Sequence, residues 1–325
     1  MKIAVIGTSW ITEKFLSAAI STGKITLEAV CSRSTEKGRA LASRFGAEKV
    51  YASPAELVRD TEIKGVYIAS PNSLHYSQSK LCIENGKNVI CEKPATDTEQ
   101  EMSELISLAK KHGVIYTEAI MSMFVPAFDI LKKDISEIGR IRTVNLIYCQ
   151  LSSKYPAYLR GENPNIFNPE FHTGCLADIG VYNVFLAAGL FGMPDKIMSH
   201  ATFLDSGADA EGTAVLSYGD MTVNLVYSKV GQSYSPSEII GDKGNISLNA
   251  VSQLTGIDRV SENGRQNIVP YEISRDEIMG AEASAFADAV NGNDKAKAKI
   301  ESVNATALNV RRICDIIRQQ NGFSF

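Results

Sequence analysis

The chain reads as an α/β protein in two parts. Short, near-continuous apolar runs alternate with helix-patterned stretches over the first 120 residues, the helix boundaries there carry capping signals, and beyond residue 120 the pattern switches to period two. Strands apolar throughout are buried on both faces, as in a parallel sheet covered by helices on each side; alternating strands suit an antiparallel sheet with one face toward water. The expected division is 1–120 and 121–325.

In order, the first strand is expected over Ile3 to Ile6, with Gly7 leading into a helix. Leu27 to Cys31, Val50-Tyr51, Val66 to Ala69, Val89 to Cys91 and Val114 to Thr117 follow as strands. Ser53-Pro54-Ala55-Glu56 has capping-box spacing with proline at the first helical position, and Thr98-Glu99-Gln100-Glu101 opens a later helix by the same logic. Gly86 and Gly113 stand where helices should stop. Alternation then marks Arg142 to Leu151, Ile197 to Phe203, Thr213 to Tyr218, Thr222 to Ser228 and Ser237 to Ile240. Between the first two of these lies Tyr155 to Gly174, rich in Pro, Asn and Gly, too irregular for a strand and too long for a plain connector; such loops are usually functional. Helical period returns over Glu282 to Val290 and Glu301 to Gln319.

Composition removes several classes of function. With 325 residues, 44% hydrophobic and 22% charged, the chain can bury a core, which excludes disorder as its main theme. Thirty-three Lys and Arg against 37 Asp and Glu give a net charge of -4, so no global positive field exists to hold nucleic acid or an anionic membrane. No apolar run approaches the roughly 18 residues of a spanning helix, and the chain moves directly into a strand; a cytoplasmic protein is expected. Six cysteines with no C-x-x-C pair read as reduced core residues. The four histidines form no close ligand cluster, and no metal is expected.

Three motifs carry the chemistry. Gly7-Thr8-Ser9-Trp10-Ile11-Thr12 places a glycine at a strand exit before a helix, where free N–H groups and the helix dipole receive a pyrophosphate. Only the first glycine of G-x-G-x-x-G is present, so a simple tight turn remains the alternative. About 25 residues on, the second strand ends in Cys31-Ser32-Arg33-Ser34, where an NAD enzyme usually carries Asp or Glu for the ribose 2′-hydroxyl. Ser32 with Arg33 suits a 2′-phosphate and points to NADP, NAD being possible; the plainer reading has Ser34 capping a helix and Arg33 solvated. The fourth and fifth strands run into Ser70-Pro71-Asn72-Ser73-Leu74-His75 and Glu92-Lys93-Pro94, both at strand C-termini, where open α/β sheets bind ligands. A lysine there can hold or pass a proton when partly desolvated.

Gly7, Ser70-Pro71-Asn72 with His75, Glu92-Lys93-Pro94, Glu118-Ala119-Ile120-Met121 before Phe124-Val125-Pro126, and Ala177-Asp178-Ile179-Gly180-Val181-Tyr182 together resemble the glucose-fructose oxidoreductase / inositol dehydrogenase / rhizopine catabolism (Gfo/Idh/MocA) family over nearly the whole chain. The resemblance implies an N-terminal Rossmann domain, a doubly wound parallel sheet, and a C-terminal α/β domain on a large, mostly antiparallel open sheet whose face makes a homodimer or higher homo-oligomer. It implies that Lys93 is catalytic or orienting. The family's D-x-G-x-H motif matches at Asp178, while Tyr182 stands in place of the histidine, as in the dihydrodiol dehydrogenase and D-xylose dehydrogenase-like branch, whose proposed acid/base pair is Lys and Tyr.

The expected activity is hydride transfer between NADP and a secondary carbinol of a small sugar, polyol or diol. Lys93 and Tyr182 would handle the proton, since a nearby cation favours the phenolate, and Asp178, four residues before Tyr182 on one helical face, would orient substrate or lysine. The cofactor contacts expected are Gly7, Thr8, Ser9, Trp10, Ile11, Ser32, Arg33, Ser70, Pro71, Asn72, His75, Glu92 and Lys93. Met121 and His172 join Lys93, Asp178 and Tyr182 as substrate contacts, and His75 is expected to order its turn. A non-catalytic dinucleotide- and sugar-binding regulator of the same fold, or an NAD-dependent sugar or inositol dehydrogenase, is the rival reading; intact Glu92-Lys93-Pro94 argues against the first and Ser32-Arg33 with Tyr182 against the second.

Overall fold

The computed structural model describes residues 1–269, 271 and 273–324. It forms two compact units, one of residues 1–124 and 274–308, the other of 125–273 and 309–325.

In the first unit the strands are β1 (Lys2–Ile6), β2 (Thr26–Cys31), β3 (Lys49–Tyr51), β4 (Gly65–Ile68), β5 (Asn88–Glu92) and β6 (Tyr116–Ala119). They pair in the order β3-β2-β1-β4-β5-β6, every neighbour parallel. The near-continuous apolar runs are explained by burial: Ala4, Val5, Val30, Val66, Ile68, Val89 and Ile90 are all inaccessible to water. The chain winds outward in one direction from β1 and in the other from β4, so the crevice outside the C-terminal ends of these two strands is where such a sheet receives a ligand. Helices α1 (Trp10–Ser21), α2 (Thr35–Arg44), α3 (Pro54–Leu57), α4 (His75–Glu84) and α5 (Glu99–His112) connect the strands, and α9 (Arg275–Val290) returns to pack on α1.

The capping signals work with one adjustment. Thr98 and Glu101 form the full reciprocal box on α5, and Gly113 ends that helix at φ 66, a left-handed value that a Cβ disfavours. On α3, Ser53 accepts from the N–H of Glu56, but the Glu56 carboxylate reaches back to Ala52 rather than Ser53. The strand expected from Val114 begins only at Tyr116, because Val114 N–H still closes α5 onto Ala109 and Ile115 N–H is taken by the Asn88 side chain.

In the second unit α6 (Pro126–Asp134) precedes β7 (Ile141–Cys149), α7 (Tyr155–Leu159), α8 (Val181–Phe191), β8 (Lys196–Phe203), β9 (Asp209–Tyr218), β10 (Met221–Ser228), β11 (Ser237–Gly241), β12 (Asn245–Ala250), β13 (Thr255–Ser261) and β14 (Gly264–Asn267). The sheet order is β14-β13-β12-β11-β7-β10-β9-β8, antiparallel except where β10 runs parallel to β7. Along β10, Val223, Leu225 and Tyr227 are fully buried while the residues between them are half-buried, the expected alternation. Asn183 on α8 ties that helix to the sheet through the carbonyls of Leu146 and Val226. Helix α10 (Asp294–Asn321) begins in the first unit and ends in the second.

Three findings correct the expectations. Strands β12 to β14 lie beyond the expected set, because they are short and polar and β14 is exposed along its length. Residues Pro169–Phe191 do reach the length and apolarity of a spanning segment, at a mean hydropathy of 1.6, but 72% of that stretch is buried within the protein, as a core helix of a globular unit is. The segment 155–174 is not plain loop: it holds α7 and two 3-10 turns, and Tyr155 and Tyr158 pack on the buried ring of Phe167. All six cysteines are free thiols, five of them buried and Cys149 half-buried, and burial pushes Cys31 up to about 11 and Cys82 to about 12, which keeps those thiols protonated and inert.

Candidate active site

At the exit of β1, Gly7 adopts φ 109 and a Cβ there would lie 2.4 Å from the carbonyl oxygen of Ala69, so conformation and space both demand glycine. Helix α1 starts three residues later. Its N-cap residue Ser9 makes no side-chain capping bond and lies 3.4 Å from the Thr12 hydroxyl. The first N–H groups of α1 have no acceptor within the helix and no side-chain cap, and together with the positive end of the helix dipole they are of the kind that receives a pyrophosphate. At the end of β2, Ser32 accepts from Ser34 N–H, Ser34 caps α2, and Arg33 is exposed beside them. Capping by Ser34 and an Arg33 open to a phosphate coexist in this turn.

Ser70, Pro71 and Asn72 follow β4, and Ser70 donates to Gln78 on α4. His75, 1% exposed, sits at the start of α4 with Nδ1 2.9 Å from the carbonyl of Pro94 and Nε2 2.8 Å from that of Ser70. It thus fastens the turn after β4 to the turn after β5. Burial lowers its pKa against the pull of the two carbonyls, and the neutral ring donates to one of them.

The turn after β5 is held by side chains from two other elements. Pro94 follows a cis peptide bond from Lys93, His75 meets the Pro94 carbonyl, and the buried Glu118 carboxylate accepts from Ala95 N–H at 3.0 Å. Glu92 accepts from Tyr67, whose ring stacks on Phe15 at 3.7 Å, and burial raises Glu92 above the usual carboxylate range. Lys93 itself is half-buried. Met121, 7% exposed, lies in a 3-10 turn over Met121–Met123 beyond β6.

In the second unit, Asp178 and Tyr182 straddle a junction. The expected single α-helix is instead a π turn over Leu176–Gly180 followed by α8, and Asp178 belongs to the turn while Tyr182 belongs to the helix. Gly180 lies directly on the buried Tyr227 ring, which a Cβ would approach to 2.9 Å. Leu176 N–H, at the start of the turn, donates to Asp209 Oδ2 at 2.6 Å, and a Cβ on Gly174 would occupy the place of the other Asp209 oxygen. Burial outweighs these backbone donors and pushes Asp209 up to about 7.

Asp178 forms an ion pair with Lys229, which is 7% exposed and whose N–H donates to the Ala210 carbonyl. Tyr182 is 7% exposed, its ring 6.0 Å from that of Tyr148. His172 takes a left-handed conformation at φ 52 at the end of the 155–174 segment. The expected cofactor residues, Lys93 and Met121 thus belong to the first unit, and Asp178, Tyr182 and His172 to the second. Sequence reasoning missed Lys229 and Asp209; the available signal was a charged residue directly after the apolar end of β10 and another opening β9, too common to stand out.

Family models match along the chain. Residues 1–120 match the oxidoreductase family with an NAD-binding Rossmann fold, and residues 133–247 the GFO/IDH/MocA C-terminal domain. The sequence is 36% identical to scyllo-inositol 2-dehydrogenase (NADP(+)) IolU of Bacillus subtilis, covering 100% of this chain and 98% of that one. It is 42% identical to the uncharacterized oxidoreductase YgjR of Escherichia coli, over 78% of this chain and 77% of the relative. Among solved structures, the 3-ketoreductase KijD10 of Actinomadura kijaniata, in complex with NADP and TDP-benzene, has the same fold, with a TM-score of 0.84 at 20% identity over 99% and 98% of the two chains.

Proposed function

The chain belongs to the Gfo/Idh/MocA family of NAD(P)-dependent oxidoreductases, and from that premise we propose that it interconverts a secondary carbinol of a cyclic polyol, sugar or diol with its ketone, preferring NADP. Bound NADP supplies the hydride acceptor. The observation that carries the reading is the double tie on the turn after Lys93, by His75 to the Pro94 carbonyl and by Glu118 to the Ala95 N–H, which holds the backbone beside a half-buried lysine at a strand C-terminus.

In the oxidative direction the substrate O–H proton passes to Tyr182 as the carbon loses hydride, and Lys93 stabilises the negative charge that develops on oxygen. In reduction Lys93 polarises the carbonyl and Tyr182 returns the proton. Asp178, held by Lys229, orients a substrate hydroxyl, and His172 and Met121 line the substrate. Exposed Arg33 after Ser32 supports the NADP preference, as does the NADP(+) used by the Bacillus subtilis relative. A cytoplasmic homodimer formed through the open sheet face completes the reading.

The test is oxidation of a panel of inositols, aldoses and vicinal diols with NADP+ and NAD+, by wild type and Lys93→Met. Turnover of a panel member with NADP+ ahead of NAD+, abolished by Lys93→Met while NADPH still binds, is expected. No turnover of any member by wild type would reject the substrate class, and loss of NADPH binding in the variant would reject the role given to Lys93.

A further inference from the structure

Trp10 is the first residue of α1 and 61% exposed, an unusual state for the largest apolar side chain. The guanidinium of Arg275, the first residue of α9, lies over its ring at 5.2 Å. We propose that Arg275, carried on Trp10, is a cofactor-binding residue that contacts the pyrophosphate of the dinucleotide. The proposal rests on the family's dinucleotide site and is independent of the substrate and proton-transfer assignments.

Three features argue for it. The loop after β1 has Ser9 and Thr12 where the second and third glycines would stand, and Thr12 is fully buried with its hydroxyl near Ser9, so this turn offers the pyrophosphate less close backbone approach than a full glycine loop. A cation delivered from elsewhere in the chain compensates for that loss, and a planar guanidinium is the group best shaped for phosphate oxygens.

Arg275 is also held in place. Ser274 and Glu277 close a full capping box around it, and Asp276 lies 3.8 Å from Lys14 on α1, joining the first turn of α9 to α1. The acidic neighbours Asp276 and Glu277 are thereby engaged with Lys14 and Ser274. Finally, the indole beneath the guanidinium orients it without neutralising it, as a carboxylate partner would, so its charge stays available beside the N-terminus of α1.

Calorimetry on the full chain tests this with NADPH, NADH and 2′-AMP, which has the 2′-phosphate but no pyrophosphate. Arg275→Met is expected to weaken NADPH and NADH alike, by about tenfold, with 2′-AMP unchanged and Arg275→Lys recovering part of the loss. Arg33→Ala in parallel weakens NADPH and 2′-AMP and spares NADH. Unchanged NADPH and NADH affinity in Arg275→Met overturns the proposal, as does a loss confined to NADPH, which would put the guanidinium at the 2′-phosphate. An equal loss for 2′-AMP overturns it too, since that reports general damage to the unit. Failure of wild type to bind any of the three overturns the cofactor assignment itself, a result distinct from the others.

Discussion

Substituting Asp209 by Asn separates the charge of a buried acid from its shape. Asp209 is 1% exposed, accepts from Leu176 N–H at 2.6 Å, and is pushed by burial from the ordinary 3.8 up to about 7. Between those two values the folded chain keeps a proton that the unfolded chain has already released. Folding therefore takes up protons in that window, and stability falls as pH rises through it, the penalty being complete above about pH 7. The gap is worth about 4 kcal/mol as an upper bound.

Asparagine mimics the neutral acid, so the variant's advantage over wild type should grow from ~1.6 kcal/mol at pH 5 to as much as ~4 kcal/mol at pH 8 and vanish only below about pH 4. Urea denaturation at both pH values is the assay. Far-UV circular dichroism should follow it, because the single tryptophan, Trp10, belongs to the other unit. Taking the difference between the two proteins cancels groups that titrate alike in both. A difference that stays flat from pH 5 to pH 8 refutes the reasoning, and one of opposite sign means that the backbone donors hold Asp209 as a carboxylate against burial.

Arg33→Ala should weaken NADPH by about tenfold or more through loss of charge-assisted hydrogen bonds to the 2′-phosphate and leave NADH unchanged, read by quenching of Trp10. Lys229→Met leaves Asp178 without its buried cation, and a loss of about 3 kcal/mol in stability together with a fall in kcat at unchanged NADPH affinity is expected from denaturation and steady-state kinetics. Gly180→Ala gains helix propensity but drives a Cβ to 2.9 Å from the Tyr227 ring, and a net loss of about 1–3 kcal/mol should appear on thermal melting.

The architecture was legible because burial on two faces and burial on one face leave different periods in the sequence. β1, β4 and β5 show the first and β10 the second. Where periodicity is weak, reading stopped: β14 is exposed throughout and β12 and β13 are polar enough to pass for loop. The ends of elements shifted where a side chain competed for a backbone group, as Asn88 does for Ile115. Residues 176–180 were read as α-helix because a π turn has no composition of its own, and the ring packed against Gly180 there, Tyr227, is distant in sequence.

The residues proposed for the site come from local sequence patterns, whereas their supports were illegible, for a physical reason. The groups proposed to meet ligand sit at strand ends or in the turn before a helix, positions that local patterns reveal, as with Gly7, Lys93 and Asp178. The groups that hold them are buried polar side chains reaching backbone atoms across the fold: Glu118 to Ala95, His75 to Ser70 and Pro94, Asp209 to Leu176, Lys229 to Asp178. Each is costly to bury and stays only because its partner is in place, so losing one leaves the other unsatisfied. This makes the supports stiffer than an apolar contact of the same size, since sliding by an ångström breaks a bond instead of loosening a packing. Both units use the device. The turn bearing Lys93 is fixed by an acceptor on β6 and a ring nitrogen on α4, and the turn bearing Asp178 by Asp209 at the start of β9 and Lys229 just after β10, so in each case an irregular backbone segment carries the proposed reactive group while regular elements supply its restraints.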